Sequence, residues 1–119
     1  MRVRNVDRDI VLGAQISLAD TWWPRLRGLL GRKSLQPGEG LLLSPCRSVH
    51  MYGMKFDLDV VFVARDGRVV GLYERLAPGR RTRWHRDALH ALELPAGTVA
   101  ASGTRAGDRI AWQTTGATQ

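Results

Sequence analysis

The stretch Leu58-Asp59-Val60-Val61-Phe62-Val63-Ala64, followed by Arg65-Asp66-Gly67-Arg68 and Val69-Val70-Gly71-Leu72-Tyr73, decides the fold class. The first seven residues form a nearly continuous apolar, β-branched run, the pattern of a central strand covered on both faces. Asp66-Gly67 is a turn dipeptide, and the apolar run resumes directly after it, so the two runs read as a hairpin. One residue breaks the pattern. Asp59 is a carboxylate inside an apolar strand, where a charge needs a cation or hydrogen-bond donors.

Working outward, the rest of the chain repeats the same signal in shorter pieces. Ile10-Val11-Leu12 ends a first strand, and Ala14, Ile16 and Leu18 alternate with Gln15 and Ser17 as in a half-buried strand. Gly40-Leu41-Leu42-Leu43 follows the turn Gln36-Pro37-Gly38-Glu39, and Val49 to Met54 is a short mixed run. Ala88 to Leu94 makes another strand, Thr98 to Ser102 one helical turn, and Arg109 to Gln113 a last strand. One helix stands out at about 21–31. Asp20 and Thr21 suit an N-cap, Pro24 a first turn, and Trp22, Trp23, Leu26, Leu29 and Leu30 share a face. The expected fold is mainly β: a compact sandwich- or barrel-like domain of seven to nine short, mostly antiparallel strands with this one helix. A single domain is expected over 1–119, with 114–119 as a flexible tail.

Composition agrees. At 119 residues one core is the natural size, and 44% hydrophobic with 24% charged residues is globular. No apolar run approaches the roughly 20 residues of a membrane-spanning helix, and the N-terminus lacks the apolar stretch of a secretory signal. The single cysteine, Cys46, fits a reducing compartment, so a cytoplasmic protein is expected. Net charge is +7, spread evenly: nine basic and six acidic residues in 1–60, nine and five in 61–119. An even spread argues against a dedicated nucleic-acid face.

Several motifs together resemble one family. They are Thr21 to Arg32, Gly40 to Leu43, the block Cys46 to Val63, Leu92-Glu93-Leu94-Pro95-Ala96-Gly97-Thr98 and Gly107-Asp108-Arg109-Ile110. The chain resembles domain-of-unknown-function family 192, uncharacterised protein family 0127 of bacteria and archaea, over about residues 10–112. Many members carry a Trp-Met-Lys-Asn-Thr core. Here the block reads His50-Met51-Tyr52-Gly53-Met54-Lys55-Phe56, similar to a His/Gly-Met branch, and Asp57 stands where members usually place proline. The resemblance implies a compact β fold with a packed helix, and it implies no activity.

Three constellations could carry chemistry. His50, Met54, Lys55 and Asp59 would line a small polar pocket for an anionic or polyhydroxy ligand. Against this, Asp59 reads more simply as a structural group paired with Lys55, His50 or Arg47, or bonded to backbone. Arg80-Arg81-Thr82-Arg83-Trp84-His85-Arg86 is the densest charge in the chain, and Arg80, Arg81, Arg83 and Arg86 beside Trp84 would grip phosphates and stack a base. A solvated basic loop with Trp84 folded onto the core gives the same sequence and is the favoured reading, and no nucleic-acid-binding signature accompanies the run. Cys46, His50 and Met54 are soft ligands at a spacing of four, and Cys46 with His50 is a conceivable nucleophilic pair. An extended chain spreads eight residues over about 26 Å, so three ligands meet only at a sharp bend. The expectation is a non-enzymatic binding or accessory module with no cofactor. Polyanion binding and a small Cys46/His50 enzyme are its alternatives.

Overall fold

A computed structural model describes residues 1–19, Leu29 and 31–113. It contains eight strands: β1 (Arg2–Asn5), β2 (Ile10–Gly13), β3 (Gln15–Ala19), β4 (Glu39–Leu43), β5 (Leu58–Val63), β6 (Val69–Leu76), β7 (His90–Pro95) and β8 (Ile110–Gln113). One short helix, α1 (Thr98–Ser102), lies between β7 and β8. The expected helix at 21–31 and the tail at 114–119 lie outside the described residues, apart from Leu29, which is buried, and Gly31.

The strands form two sheets, ordered β2-β1-β8 and β3-β4-β7-β5-β6. All pairs are antiparallel except β3 with β4. The arrangement is a sandwich-like pair of open sheets and not a closed barrel. The Asp66-Gly67 turn joins β5 to β6 as the sequence pattern predicts, with Gly67 at φ 92°, a left-handed conformation that glycine adopts without steric cost.

β5 is buried at every position. Its side chains alternate between two cores, as the period of two requires. Val61 and Val63 join Leu42, Leu92 and Leu94 against Val3, Leu12 and Ile110 of the smaller sheet. Leu58, Val60 and Phe62 join Leu41, Leu43 and Ala91 on the opposite face, which is covered by Cys46, Val49, Met51 and Ala88 from the long connections β4–β5 and β6–β7. Among the described residues one face is thus covered by a sheet and the other by connecting segments. The edge strand β3 departs from strict alternation: Ile16 is buried but Leu18 is exposed.

The smaller sheet is tied to the C-terminal loop by a buried polar network. Asn5 Nδ2 donates to Thr104 Oγ1 and to Asp108 Oδ2, both at 3.0 Å, and Arg8 Nε donates to the same carboxylate at 3.0 Å. These donors, Arg8 first, hold the Asp108 carboxyl down at about 2. Among the described residues no helix is long and apolar enough to cross a membrane.

Candidate functional site

The two long connections that cover the loop-side core pair with each other. His85 N–H donates to the Arg47 carbonyl (2.7 Å), Thr82 N–H to that of Val49 (2.9 Å), and Met51 N–H to that of Arg80 (2.7 Å). His50 and Arg81 face each other as an antiparallel bridge between them. The result is an irregular two-stranded ribbon. Alternation then sorts its residues: Val49, Met51 and Thr82 point inward and are buried, whereas Ser48, His50, Tyr52, Arg81 and Arg83 are exposed. Thr82 fixes the register, its Oγ1 accepting from Val49 N–H (3.0 Å) and donating to the Arg83 carbonyl (2.9 Å).

The outer face of the ribbon forms an open cleft of about 420 Å³, lined by Ser48, Val49, His50, Tyr52, Arg81, Thr82, Arg83 and Trp84. The His50 imidazole stacks on Tyr52, with ring centroids 5.0 Å apart at 28°. Trp84 is 64% exposed and not folded onto the core, contrary to the solvated-loop expectation. Arg83 Nη1 donates to the Trp84 carbonyl at 3.3 Å. Among the described residues two guanidinium groups and three aromatic or imidazole rings therefore share one surface, with no carboxylate in its lining.

Beneath the ribbon His85 anchors the second connection. Its ring stacks on Phe62 (4.3 Å, 23°), and Nε2 lies 2.7 Å from the Tyr73 hydroxyl, which also accepts from Arg83 N–H at 3.4 Å. The ring fills the place of a Gly71 side chain, since a Cβ there would stand 2.5 Å from His85 Cε1. Burial, and secondarily Arg83, holds the His85 pKa below its ordinary value.

Two of the sequence-derived constellations meet in this cleft in part. His50 comes from the first, and Arg81, Arg83 and Trp84 from the second; Arg80 and Arg86 are exposed outside its lining. Met54 is half-buried against the loop-side core and Lys55 is exposed. Asp59 is fully buried and held from the other side of the sheet. Its carboxylate accepts from Arg75 N–H (2.9 Å), Gly97 N–H (3.1 Å) and Val99 N–H (2.8 Å). These are backbone donors, so of the structural alternatives the ion pair with Lys55, His50 or Arg47 gives way to backbone bonding. Arg75 sits at φ 52° where the β5–β6 register shifts, and Asp59 captures the N–H that the bulge frees. Cys46 is buried with Sγ 3.1 Å from the Ser48 carbonyl, whereas His50 is exposed. Among the described residues no group of three or more His, Cys, Asp or Glu side chains is placed to hold a metal ion.

Tyr52, Ser48 and the Tyr73–His85 pair were not singled out by sequence reasoning, because their roles come from pairing between segments remote in sequence. Glu93 was passed over although it carries the same signal as Asp59, a carboxylate within an apolar strand. It is 8% exposed on the loop-side face of β7, and burial pushes its carboxyl up to about 7.

Known proteins share this architecture. A protein of unknown function from Novosphingobium aromaticivorans superposes with a TM-score of 0.82 at 24% identity, over 94% of this chain and 84% of that one. A protein from Sinorhizobium meliloti, described as a candidate transcription regulator, gives a TM-score of 0.73 at 26% identity, over 92% and 89%. A UPF0127 protein of Thermococcus sibiricus is 28% identical over 116 residues, 92% of this chain and 73% of that protein. The model of the uncharacterized ACR family DUF192 matches residues 3–112, and the chain belongs to that family.

Proposed function

We propose that this chain is a non-enzymatic binding module that takes a small anionic ligand in the cleft of the Arg47–Tyr52 and Gly79–His85 ribbon. The observation that carries this reading is the convergence of His50 and Tyr52 with Arg81, Arg83 and Trp84 on one side of a pinned pair of segments. Guanidinium groups recognise phosphate and carboxylate through paired donors, and a ribbon held by main-chain bonds preorganises them. Binding is favoured over the Cys46/His50 catalytic alternative because the thiol of Cys46 is buried and bonded while His50 faces solvent, so these two do not form a nucleophile–base pair at the surface.

Calorimetric titration with inorganic pyrophosphate tests the reading. Saturable binding is expected, weakened at least tenfold in the Arg81→Ala/Arg83→Ala double variant. Equal heats from wild type and the double variant would remove the cleft from consideration. A second reading, binding of nucleic acid through the same arginines and Trp84, is favoured by the description of the Sinorhizobium relative. Retention of a single-stranded oligonucleotide that falls steeply with salt, in proportion to the phosphates contacted, would support it over a small ligand.

A further inference from the structure

Resting on the cleft reading above, we propose that the ligand is a nucleoside 5′-phosphate, bound by its phosphate and by its base. Arg81 lies directly across the ribbon from His50. Residues opposite each other on an antiparallel pair hold their side chains side by side on one face. The cation is therefore set next to the His50–Tyr52 ring stack, and Trp84 stands on the same cleft as a second ring.

An inorganic anion would use only the guanidinium groups and leave Tyr52 and Trp84 as exposed apolar surface, 55% and 64% accessible. Large exposed aromatics beside arginine are the composition of surfaces that stack a base while gripping a phosphate. The volume, about 420 Å³, falls within the roughly 300–1,000 Å³ of small-molecule sites. Two arginines and one set of rings complement one nucleotide. A polymer would call for a repeated track of rings and cations. The Ser48 hydroxyl, at the cleft wall, supplies a donor and acceptor suited to a sugar hydroxyl.

The test compares 5′-AMP with ribose 5-phosphate on wild type, Trp84→Leu and Arg81→Ala/Arg83→Ala. Trp84 is exposed, so its replacement leaves the fold intact, and a thermal melt matching wild type checks this. Wild type is expected to bind AMP about tenfold more tightly than ribose 5-phosphate. Trp84→Leu should reduce that preference to about twofold while leaving ribose 5-phosphate unchanged. Equal affinity of wild type for the two ligands would overturn the base contact and leave an anion site standing. Binding of neither, or binding indifferent to the arginine changes, would overturn the cleft reading as well. An oligonucleotide bound without measurable AMP binding would overturn the mononucleotide in favour of a polymer.

Discussion

Asp59 and Glu93 stand on neighbouring strands of one sheet, both buried, in opposite surroundings. Asp59 faces the side closed by the smaller sheet and α1, and its carboxylate accepts three backbone N–H groups. Glu93 faces the side closed by loops. Among the described residues no hydrogen bond or ion pair reaches its carboxyl, and burial alone raises it to about 7. A helix start and a strand bulge present spare N–H groups in fixed directions, so the sheet-side carboxylate is solvated by the fold. On the loop side no described donor reaches the other carboxyl. The difference teaches that burial by itself does not tell a structural carboxylate from a destabilising one; the donors around it do.

The largest effect is expected at Asp59. Removing the buried carboxylate in Asp59→Ala strands three backbone donors and should cost about 3–5 kcal/mol in a urea unfolding curve. A midpoint unchanged from wild type would break the comparison outright.

Glu93 is expected to act in the opposite direction and only above about pH 4.5. Its folded value lies above the unfolded 4.5, so the unfolded chain ionises first and stability falls as pH rises from about 4.5 to about 7. At about 1.4 kcal/mol per pH unit the loss is about 3 kcal/mol, complete above pH 7. Glu93→Gln should therefore be more stable than wild type at pH 8 and lose that advantage towards pH 4.5. His85 and His90 work with the other sign. Burial lowers both, so their contribution is present above about 6.5 and lost as pH falls through their folded values. The Glu93→Gln variant should uncover this as stability that rises with pH up to about 6.5. Coinciding profiles in the two proteins would show that Glu93 meets a donor after all.

Gly71→Ala sharpens the comparison on the loop side. The new methyl would press on the His85 ring, and overpacking of this kind costs about 1–3 kcal/mol. Because His85 anchors the connection that carries Arg81 to Trp84, ligand affinity should fall with stability. Affinity retained at full strength would show that the ribbon holds its shape without the His85 anchor. The smallest effect belongs to Lys55→Met. Lys55 is exposed, and a shift within about 0.5 kcal/mol is expected. A loss as large as that of Asp59→Ala would mean that the two residues are paired.

Much of the fold was legible because it is written in local patterns. The β5–β6 hairpin, the strands at Leu41–Leu43 and at the C-terminus, and the turn of helix after Pro95 follow from apolar runs and turn residues that act within a few positions. Leu18 shows where this stops, since alternation marks it as inward but it lies exposed on an edge strand. The site was legible only in fragments. His50 and the Arg81–Trp84 run were visible as chemistry, but their meeting depends on hydrogen bonds between segments about 30 residues apart.

Legible in the sequence alone were most of the period-two burial, the turn positions, the carboxylate in the central strand and the basic loop, whereas the exposure of Trp84 came from the fold. Each of the legible features depends on side-chain type and backbone stereochemistry within a short window. Only the tertiary structure decided which partners those groups received. Asp59 obtained backbone N–H groups from residues 75, 97 and 99, and Arg81 obtained His50 as its neighbour. Contacts of that kind are set by how the two sheets and the two long connections pack, and packing is a property of surfaces brought together from the whole chain.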